Sequence, residues 1–301
     1  MSLAELTYQS RFVSAQDGLK LHIRDYGSMR DPGIPVVCLP GLSRTAADFG
    51  PLASALAGGI VGQKRRVLAL DYRGRGLSEY DPNWKNYSLE VENEDVRTAL
   101  TALGIELATF IGTSRGGLHT MTLSATRPTA VHAVVLNDIG PVLEPRGMAR
   151  IRGYVGKVPT PRSIPDAVDL LKRMMSEQFS GLSEADWETY AKITFTDSVG
   201  RIGLRYDKNL MKPLENLDLE QPLSDLWAQF DGLNGKPMLI LRGANSDLLS
   251  AQTLKEMARR HPGAEVHVVE GQGHPPLLLD TISIGRICDF VAQTDRLERP
   301  N

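Results

Sequence analysis

The sequence predicts an α/β protein with a doubly wound, mostly parallel sheet of eight strands. Short, apolar, β-prone runs alternate with amphipathic helical segments along most of the chain, and the connections between them are short. Strands and helices that alternate in this way are typical of a parallel sheet covered by helices on both faces. The alternation stops near residue 141 and resumes near residue 223. The residues between have a helical pattern, so we expect a helical lid inserted in the sheet domain.

The eight predicted strands begin with a hairpin around Gln16-Asp17-Gly18, because Asp-Gly between alternating runs favours a tight turn. The parallel strands follow as continuous apolar runs, as expected of strands buried on both faces. They are predicted over residues 35–39, 66–70, 108–111, 131–136, 237–241 and 264–269. Residues 1–140 and 223–301 are therefore expected to form the two parts of the sheet domain, and residues 141–222 the helical lid.

Composition argues against several classes of partner. The net charge is −2 and basic runs are absent, which disfavours nucleic acid or an anionic membrane surface. Residues 1–6 lack the charged and apolar regions of a signal peptide, and no apolar run approaches the length of a membrane span. Cys38 and Cys288 are expected to be buried thiols of a cytoplasmic protein, with neither a metal nor a cofactor. Oligomeric state is not predicted.

A Gly-x-Ser-x-Gly sequence lies where a predicted strand turns into a helix. Gly112-Thr113-Ser114-Arg115-Gly116 follows the strand at residues 108–111 and precedes a helix that begins near Leu118. Glycines two residues on either side let strand and helix approach closely around a strained serine, and the helix N-terminus offers N–H groups to a developing oxyanion. The pattern is typical of a nucleophile elbow, with Ser114 as nucleophile. A glycine-rich turn of this kind also suits phosphate binding, which is the alternative.

A serine nucleophile needs a base to take its proton and a carboxylate to orient that base. Asp247 follows the strand at residues 237–241, and His274 follows the last strand. Both are expected near Ser114, because open α/β sheets gather their chemistry at the carboxyl ends of the strands. His274 is the best placed of the six histidines. His22 is expected at the surface, and structural positions are expected for His119, His132, His261 and His267.

With these motifs the chain resembles the α/β-hydrolase superfamily over nearly its whole length. The order Ser114, Asp247, His274 is that of the family's triad. Residues 71–76 are similar to the D-x-R-G-x-G turn of many members, and the insertion lies where the family carries its lid. The resemblance implies an α/β-hydrolase fold. It also implies that the oxyanion donors are the backbone N–H groups of Leu42 and Arg115.

Two details refine this resemblance. Pro40-Gly41 stands where many members have His-Gly, but the expected donor lies two residues after Pro40, so the oxyanion hole is expected to survive. Haloalkane dehalogenases and epoxide hydrolases of this fold use an aspartate at the elbow, and the serine here argues against both.

Asp138 competes with Asp247 for the role of triad acid, because it follows the strand expected beside the elbow strand. We prefer Asp247, since it follows the strand where the family usually carries its acid. Asp138 is instead expected to pair with Arg115, because an unpaired buried guanidinium is costly. The alternatives are that Arg115 points to solvent or that it binds an acidic substrate.

The predicted function is hydrolysis of a small carboxylic ester or lactone through an acyl-enzyme on Ser114, with His274 as general base and Asp247 orienting it. The alternatives are hydrolysis of a carbon–carbon bond in a β-diketone-type acid, or a ligand receptor that retains the triad. Packing within the lid is favoured over a substrate wall for Met174, Met175, Phe179, Trp187 and Tyr190. A structural or surface position is favoured over a grip on a substrate carboxylate for Arg44, Arg73 and Arg75.

Overall fold

The computed structural model describes residues 6–198, 201–215, 218 and 224–296. Its strands are β1 (Gln9–Ser14), β2 (Lys20–Tyr26), β3 (Val36–Leu39), β4 (Val67–Leu70), β5 (Ala108–Thr113), β6 (Val131–Asn137), β7 (Phe195–Ser198), β8 (Arg201–Leu204), β9 (Met238–Gly243) and β10 (Glu265–Val269). Its α-helices are α1 (Gly50–Gly58), α2 (Leu89–Ala102), α3 (Arg115–Thr126), α4 (Pro145–Tyr154), α5 (Ile164–Met175), α6 (Glu184–Thr194), α7 (Lys212–Glu215), α8 (Trp227–Asp231), α9 (Ala251–Arg260) and α10 (Thr281–Thr294).

Eight of the strands form one sheet, in the order β1-β2-β4-β3-β5-β6-β9-β10. β2 pairs antiparallel with both β1 and β4, and the other pairings are parallel. The predicted fold class is thereby confirmed. β5 lies between β3 and β6, and β9 lies beside β6, so the loops that follow β3, β5, β6 and β9 emerge together at one edge of the sheet.

The central strands are buried because helices cover both faces of the sheet. Every residue of β3, β4, β5 and β6 is buried. Along β5, Phe110 packs into the core beneath α2 and α3, whereas the next residue, Ile111, packs into the core beneath α1 and α10. This opposite placement of neighbouring side chains explains why buried and exposed residues do not alternate along the strand.

The segment between β6 and α8, called the inserted segment below, contributes no strand to the eight-stranded sheet in its described part. It holds α4 to α7 and a separate antiparallel hairpin of β7 and β8. The prediction of a purely helical insertion is wrong in this respect. Phe195 and Ile202 of the hairpin are buried against Trp187 and Tyr190 of α6, so the hairpin belongs to the segment's own core. The predicted boundary at residues 222 and 223 lies outside the described residues.

Two other sequence predictions concern burial. Cys38 and Cys288 are free, buried thiols, as expected. Burial raises the pKa of Cys38, and it raises the pKa of Cys288 to about 11. The prediction that His22 lies at the surface is wrong, because it is fully buried, with Nδ1 2.7 Å from Asp71.

Across the described ranges, the helices are too short or too polar to cross a bilayer.

Candidate active site

The turn between β5 and α3 forces Ser114 into a strained backbone conformation. Ser114 has φ 51° and ψ −116°, and α3 begins at the next residue. A Cβ atom on Gly112 would lie 2.5 Å from the backbone nitrogen of Gly117, and one on Gly116 would overlap the carbonyl oxygen of Leu39. Both predicted glycines are therefore sterically required, and the turn presents the Ser114 hydroxyl at the edge of the sheet.

A continuous hydrogen-bonded chain leads from Ser114 through His274 to Asp138. Ser114 Oγ lies 2.9 Å from His274 Nε2, and His274 Nδ1 lies 2.7 Å from Asp138 Oδ2. A carboxylate only accepts hydrogen bonds, so Nδ1 carries the proton and Nε2 is free to accept the hydroxyl proton of Ser114. His274 is 4% exposed and Asp138 is fully buried. This geometry suits general-base activation of a serine hydroxyl.

Backbone and side-chain contacts hold the Asp138 carboxylate in place. Asp138 has a positive φ of 54° directly after β6, and its N–H donates to the carbonyl of Leu241 in β9 at 2.8 Å. Oδ1 accepts the N–H of Gly243 at 2.8 Å, and Oδ2 accepts the hydroxyl of Ser246 at 2.5 Å. The end of β9 and the loop after it therefore orient an acid that belongs to β6.

The structure does not bring Asp247 to His274 Nδ1, so the predicted pairing of these two residues is wrong. Asp247 instead forms a bidentate ion pair with Arg150 of α4, at 2.7 Å from Nε and 2.8 Å from Nη2. Burial alone would raise the pKa of Asp247, but its hydrogen bonds to Arg150 outweigh this effect and hold the pKa below its ordinary value. Gly147 allows the approach, since a Cβ there would lie 2.7 Å from the Asp247 carbonyl oxygen.

The expected ion pair between Asp138 and Arg115 is also wrong. Arg115 Nε lies 2.6 Å from Oε2 of Glu92, a fully buried residue of α2. The physical argument that a largely buried guanidinium needs a carboxylate holds, but the partner comes from another element. Arg73 and Arg75 have the expected structural positions, because both are buried and paired with carboxylates.

The cavity beside Ser114 is walled by both the sheet domain and the inserted segment. Residues of the inserted segment that line it are Ile151, Tyr154, Met175 and Tyr190. Met175 and Tyr190 thus touch the cavity, whereas Phe179 and Trp187 pack within the inserted segment, as predicted. Pro276, Leu277 and Leu278 close another side, so most of the wall is apolar.

Among the described residues of this wall, Arg44 is the arginine, and its charge is neutralised locally. Its Nε and Nη2 lie 2.6 and 2.9 Å from the two carboxylate oxygens of Asp48, and its Nη1 donates to Thr194 at 2.6 Å. The guanidinium carbon lies 5.0 Å from the centre of the Tyr190 ring. Burial raises the pKa of Asp48 and raises that of Tyr190 to about 12. This part of the wall is therefore polar without a free positive charge.

The residues that carry the two predicted oxyanion donors lie on either side of Ser114. Gly41 lies against Ser114, since a Cβ on it would be 3.7 Å from the Ser114 Cβ, and Leu42 follows it in the cavity wall. Arg115 is the first residue of α3, where a backbone N–H has no acceptor within the helix. Their role as donors stays a prediction.

Besides Ser246, which donates to Asp138, sequence reasoning missed two further residues that contact residues of the site. Gln178, after α5, accepts a hydrogen bond from the backbone of His274. Glu92 binds Arg75 and Arg115. Glu92 carried a signal, because it lies four residues before the buried Val96 and so on the core face of an amphipathic helix. A carboxylate on that face indicates a buried charge network.

Comparison with known proteins agrees with the fold. Residues 34–281 match the family model described as the alpha/beta hydrolase fold. A 3-hydroxybutyrate-oligomer hydrolase from Cupriavidus necator is 32% identical over 283 residues, covering 91% of this chain and 94% of that relative. A solved alpha/beta hydrolase from Novosphingobium aromaticivorans has a TM-score of 0.87 and 39% identity, covering 96% of this chain and 99% of that one. The chain therefore belongs to the α/β-hydrolase family.

Proposed function

We propose that this enzyme hydrolyses small carboxylic esters, with Ser114 as nucleophile, His274 as general base and Asp138 as the acid that orients the histidine. The observation that carries the proposal is the unbroken hydrogen-bonded chain between these three side chains, at 2.9 and 2.7 Å. It lies at a strained elbow whose two glycines have no room for a Cβ atom. These are the roles and geometry of a serine-hydrolase triad.

The reaction proceeds in two halves. His274 Nε2 takes the Ser114 proton as Oγ attacks the acyl carbon, and the N–H groups of Leu42 and Arg115 stabilise the oxyanion. The imidazolium then gives that proton to the departing alcohol, which leaves an acyl-enzyme on Ser114. His274 next activates a water that releases the acid and regenerates the serine. Asp138 holds the Nδ1–H tautomer and stabilises the imidazolium in both halves.

The substrate proposed is a short-chain ester or a lactone. The mostly apolar wall of the cavity suits a short acyl chain, and its one arginine is already neutralised by Asp48. The relative named for hydrolysis of 3-hydroxybutyrate oligomers supports linear esters of short hydroxy acids as the first natural class to test. The bond between neighbouring units of such an oligomer is a carboxylic ester, so the same chemistry applies.

The test is turnover by the wild type and by Ser114→Ala on four substrate sets: p-nitrophenyl acetate and butyrate, lactones, 3-hydroxybutyrate dimers and trimers, and vinylogous diketo acids. Wild type should hydrolyse one of the ester or lactone sets and react with a fluorophosphonate, and Ser114→Ala should do neither. Ser124→Ala, in the same helix but bonded only to backbone carbonyls, is the matched control. Turnover of diketo acids alone indicates a carbon–carbon hydrolase, and slow single-turnover labelling alone indicates a receptor. Labelling that persists in Ser114→Ala contradicts the nucleophile assignment.

A further inference from the structure

Glu92 is a buried carboxylate that no step of the proposed mechanism uses. It is fully buried in α2. Its Oε1 lies 2.7 Å from Arg75 Nη1, and its Oε2 lies 2.6 Å from Arg115 Nε and 3.2 Å from His119 Nε2. Three donors, one from the turn after β4 and two from α3, therefore converge on one carboxylate.

The protonation states in this cluster follow from its contacts. Burial alone would raise the pKa of Glu92, but the charges of Arg115 and Arg75 outweigh it and hold the pKa well below its ordinary value. Burial lowers the pKa of His119, which favours the neutral form of its ring. The Nδ1 atom of His119 faces the amide nitrogen of Asn93 at 3.5 Å, which leaves the proton on Nε2, where it is donated to Glu92. Glu92 is thus an anion that accepts from all three partners.

Glu92 is connected to both residues that carry the predicted oxyanion donors, directly to the Arg115 side chain and through Arg75 to Leu42. Arg115 supplies one donor N–H from its backbone while its side chain binds Glu92. Arg75, fully buried, binds Glu92 through Nη1 and donates from Nε to the carbonyl oxygen of Leu42 at 2.8 Å. Leu42 carries the other donor N–H. One anion therefore links, through two guanidinium groups, the two peptide segments on either side of Ser114.

We propose that Glu92 is a positioning residue for the oxyanion hole, acting through Arg75 on Leu42 and through its ion pair on Arg115. The inference rests on the proposed function, because the backbone N–H groups of Leu42 and Arg115 act as oxyanion donors only in acyl transfer. Oxyanion donors are effective only within a few tenths of an ångström of their optimal place. A rigid link between the β3–α1 loop, which carries Leu42, and the start of α3 would set the distance between the two donors.

The test compares an oxygen ester with the matching thionoester. A thiocarbonyl sulfur accepts hydrogen bonds poorly, so turnover of the thionoester depends little on the oxyanion hole. Arg75→Lys keeps the charge, but one ammonium cannot reproduce the fork that binds both Glu92 and Leu42. We expect it to lower kcat/KM for the ester by about 10- to 100-fold. This loss does not exceed the one caused by removing a whole oxyanion donor. The ratio of ester to thionoester kcat/KM should fall at least about tenfold.

A second variant avoids leaving a buried charge unpaired. Arg115→Met keeps the backbone N–H and removes a side chain that is 14% exposed, while Glu92 retains Arg75. It should fold and should lower the same ratio. The matched control is Arg66→Lys. Arg66 is also buried and also bridges a carboxylate and a carbonyl, Asp25 and Leu103, but it lies away from Ser114. It should lose stability and leave the ratio unchanged.

The outcomes separate the two proposals. A wild type that turns over neither an ester nor a lactone and whose Ser114 resists labelling contradicts the proposed function. An active wild type whose ester-to-thionoester ratio is unchanged in both Arg75→Lys and Arg115→Met overturns the inference about Glu92 alone. An equal fall of the ratio in Arg66→Lys also overturns it, because the effect would then follow from lost stability.

Discussion

Gln178 of the inserted segment accepts a hydrogen bond from the backbone N–H of His274, with 3.1 Å between Oε1 and the nitrogen. The contact is close, since a Cβ atom on Gly273 would overlap the Gln178 side chain. Nearby, the N–H of Gly181 donates to the carbonyl of Gly271 at 2.9 Å. The segment after α5 is therefore joined to the loop that carries the proposed base, and it does more than cover the cavity.

We predict that Gln178→Met, which keeps the length of the side chain but removes the acceptor, lowers kcat by up to about tenfold with little change in KM. One hydrogen bond of this kind is worth about 1 kcal/mol, and losing it loosens His274 rather than substrate binding. Gln178→Glu retains an acceptor oxygen and should recover most of the activity. Steady-state kinetics across pH 5–9 is the measurement. A Gln178→Met enzyme with wild-type kcat would show that the contact does not position His274.

The contrast between Asp138 and Asp247 gives the second prediction. Asp138→Asn should lower kcat by about 10⁴-fold, because an amide at Nδ1 favours the wrong tautomer of His274. Asp247→Asn should lower the melting temperature, because it leaves the Arg150 charge without its partner, and should affect kcat much less. Kinetics and thermal unfolding of both variants are the measurements. A greater loss of kcat in Asp247→Asn would contradict the assignment of Asp138.

There is a physical reason why the sequence pointed to Asp247, and not to Asp138, as the partner of His274. β6 and β9 are neighbours, so the residues after them, Asp138 and Asp247, emerge at the same edge of the sheet. Local sequence does not separate them. Two features decide which of them contacts His274. Asp138 has a positive φ, and Asp247 forms an ion pair with Arg150 of α4. Both are tertiary effects, invisible to motif spacing.

Ser114, by contrast, was predictable because its constraint is local. The glycines of the elbow are imposed by atoms within a few residues and by the adjacent strand β3. The central strands were predictable because burial on both faces favours continuous apolar runs. The β7–β8 hairpin was missed because its four-residue strands carry no alternation long enough to compete with the helical pattern around them.

The third prediction concerns these steric limits. Gly116→Ala should cost about 1–3 kcal/mol or more in the free energy of unfolding and abolish most activity, because its Cβ would overlap the Leu39 carbonyl and push α3 off β3. Gly153→Ala is the matched control, since Gly153 lies in α4 with open space where the Cβ would be. It should be neutral or stabilise by up to about 1 kcal/mol. Denaturant unfolding measures both changes, and equal stabilities of the two variants would contradict the prediction.

The last prediction is a pH dependence of stability that originates in His119. This ring is fully buried between Glu92, Asn93 and Tyr72, and burial lowers its pKa below the ordinary value of the unfolded chain. At mildly acidic pH the unfolded chain therefore binds a proton at His119 more readily than the folded protein does. As the pH falls below about 6.5, the ordinary pKa of histidine, the free energy of unfolding should fall, by at most about 1.4 kcal/mol per pH unit from this group. Above that pH the contribution is complete.

His119→Gln separates this effect from other titrations, because glutamine does not titrate and its amide retains a donor for Glu92. Urea unfolding of wild type and variant between pH 5 and 8 is the measurement. The difference in stability between the two should shrink as the pH falls, since only wild type loses the histidine contribution. The pKa of His267 is also lowered by burial, in the same direction, but this histidine is present in both proteins and cancels in the difference. Parallel curves from pH 8 to pH 5 would show that His119 accepts a proton as readily in the folded protein as in the unfolded chain.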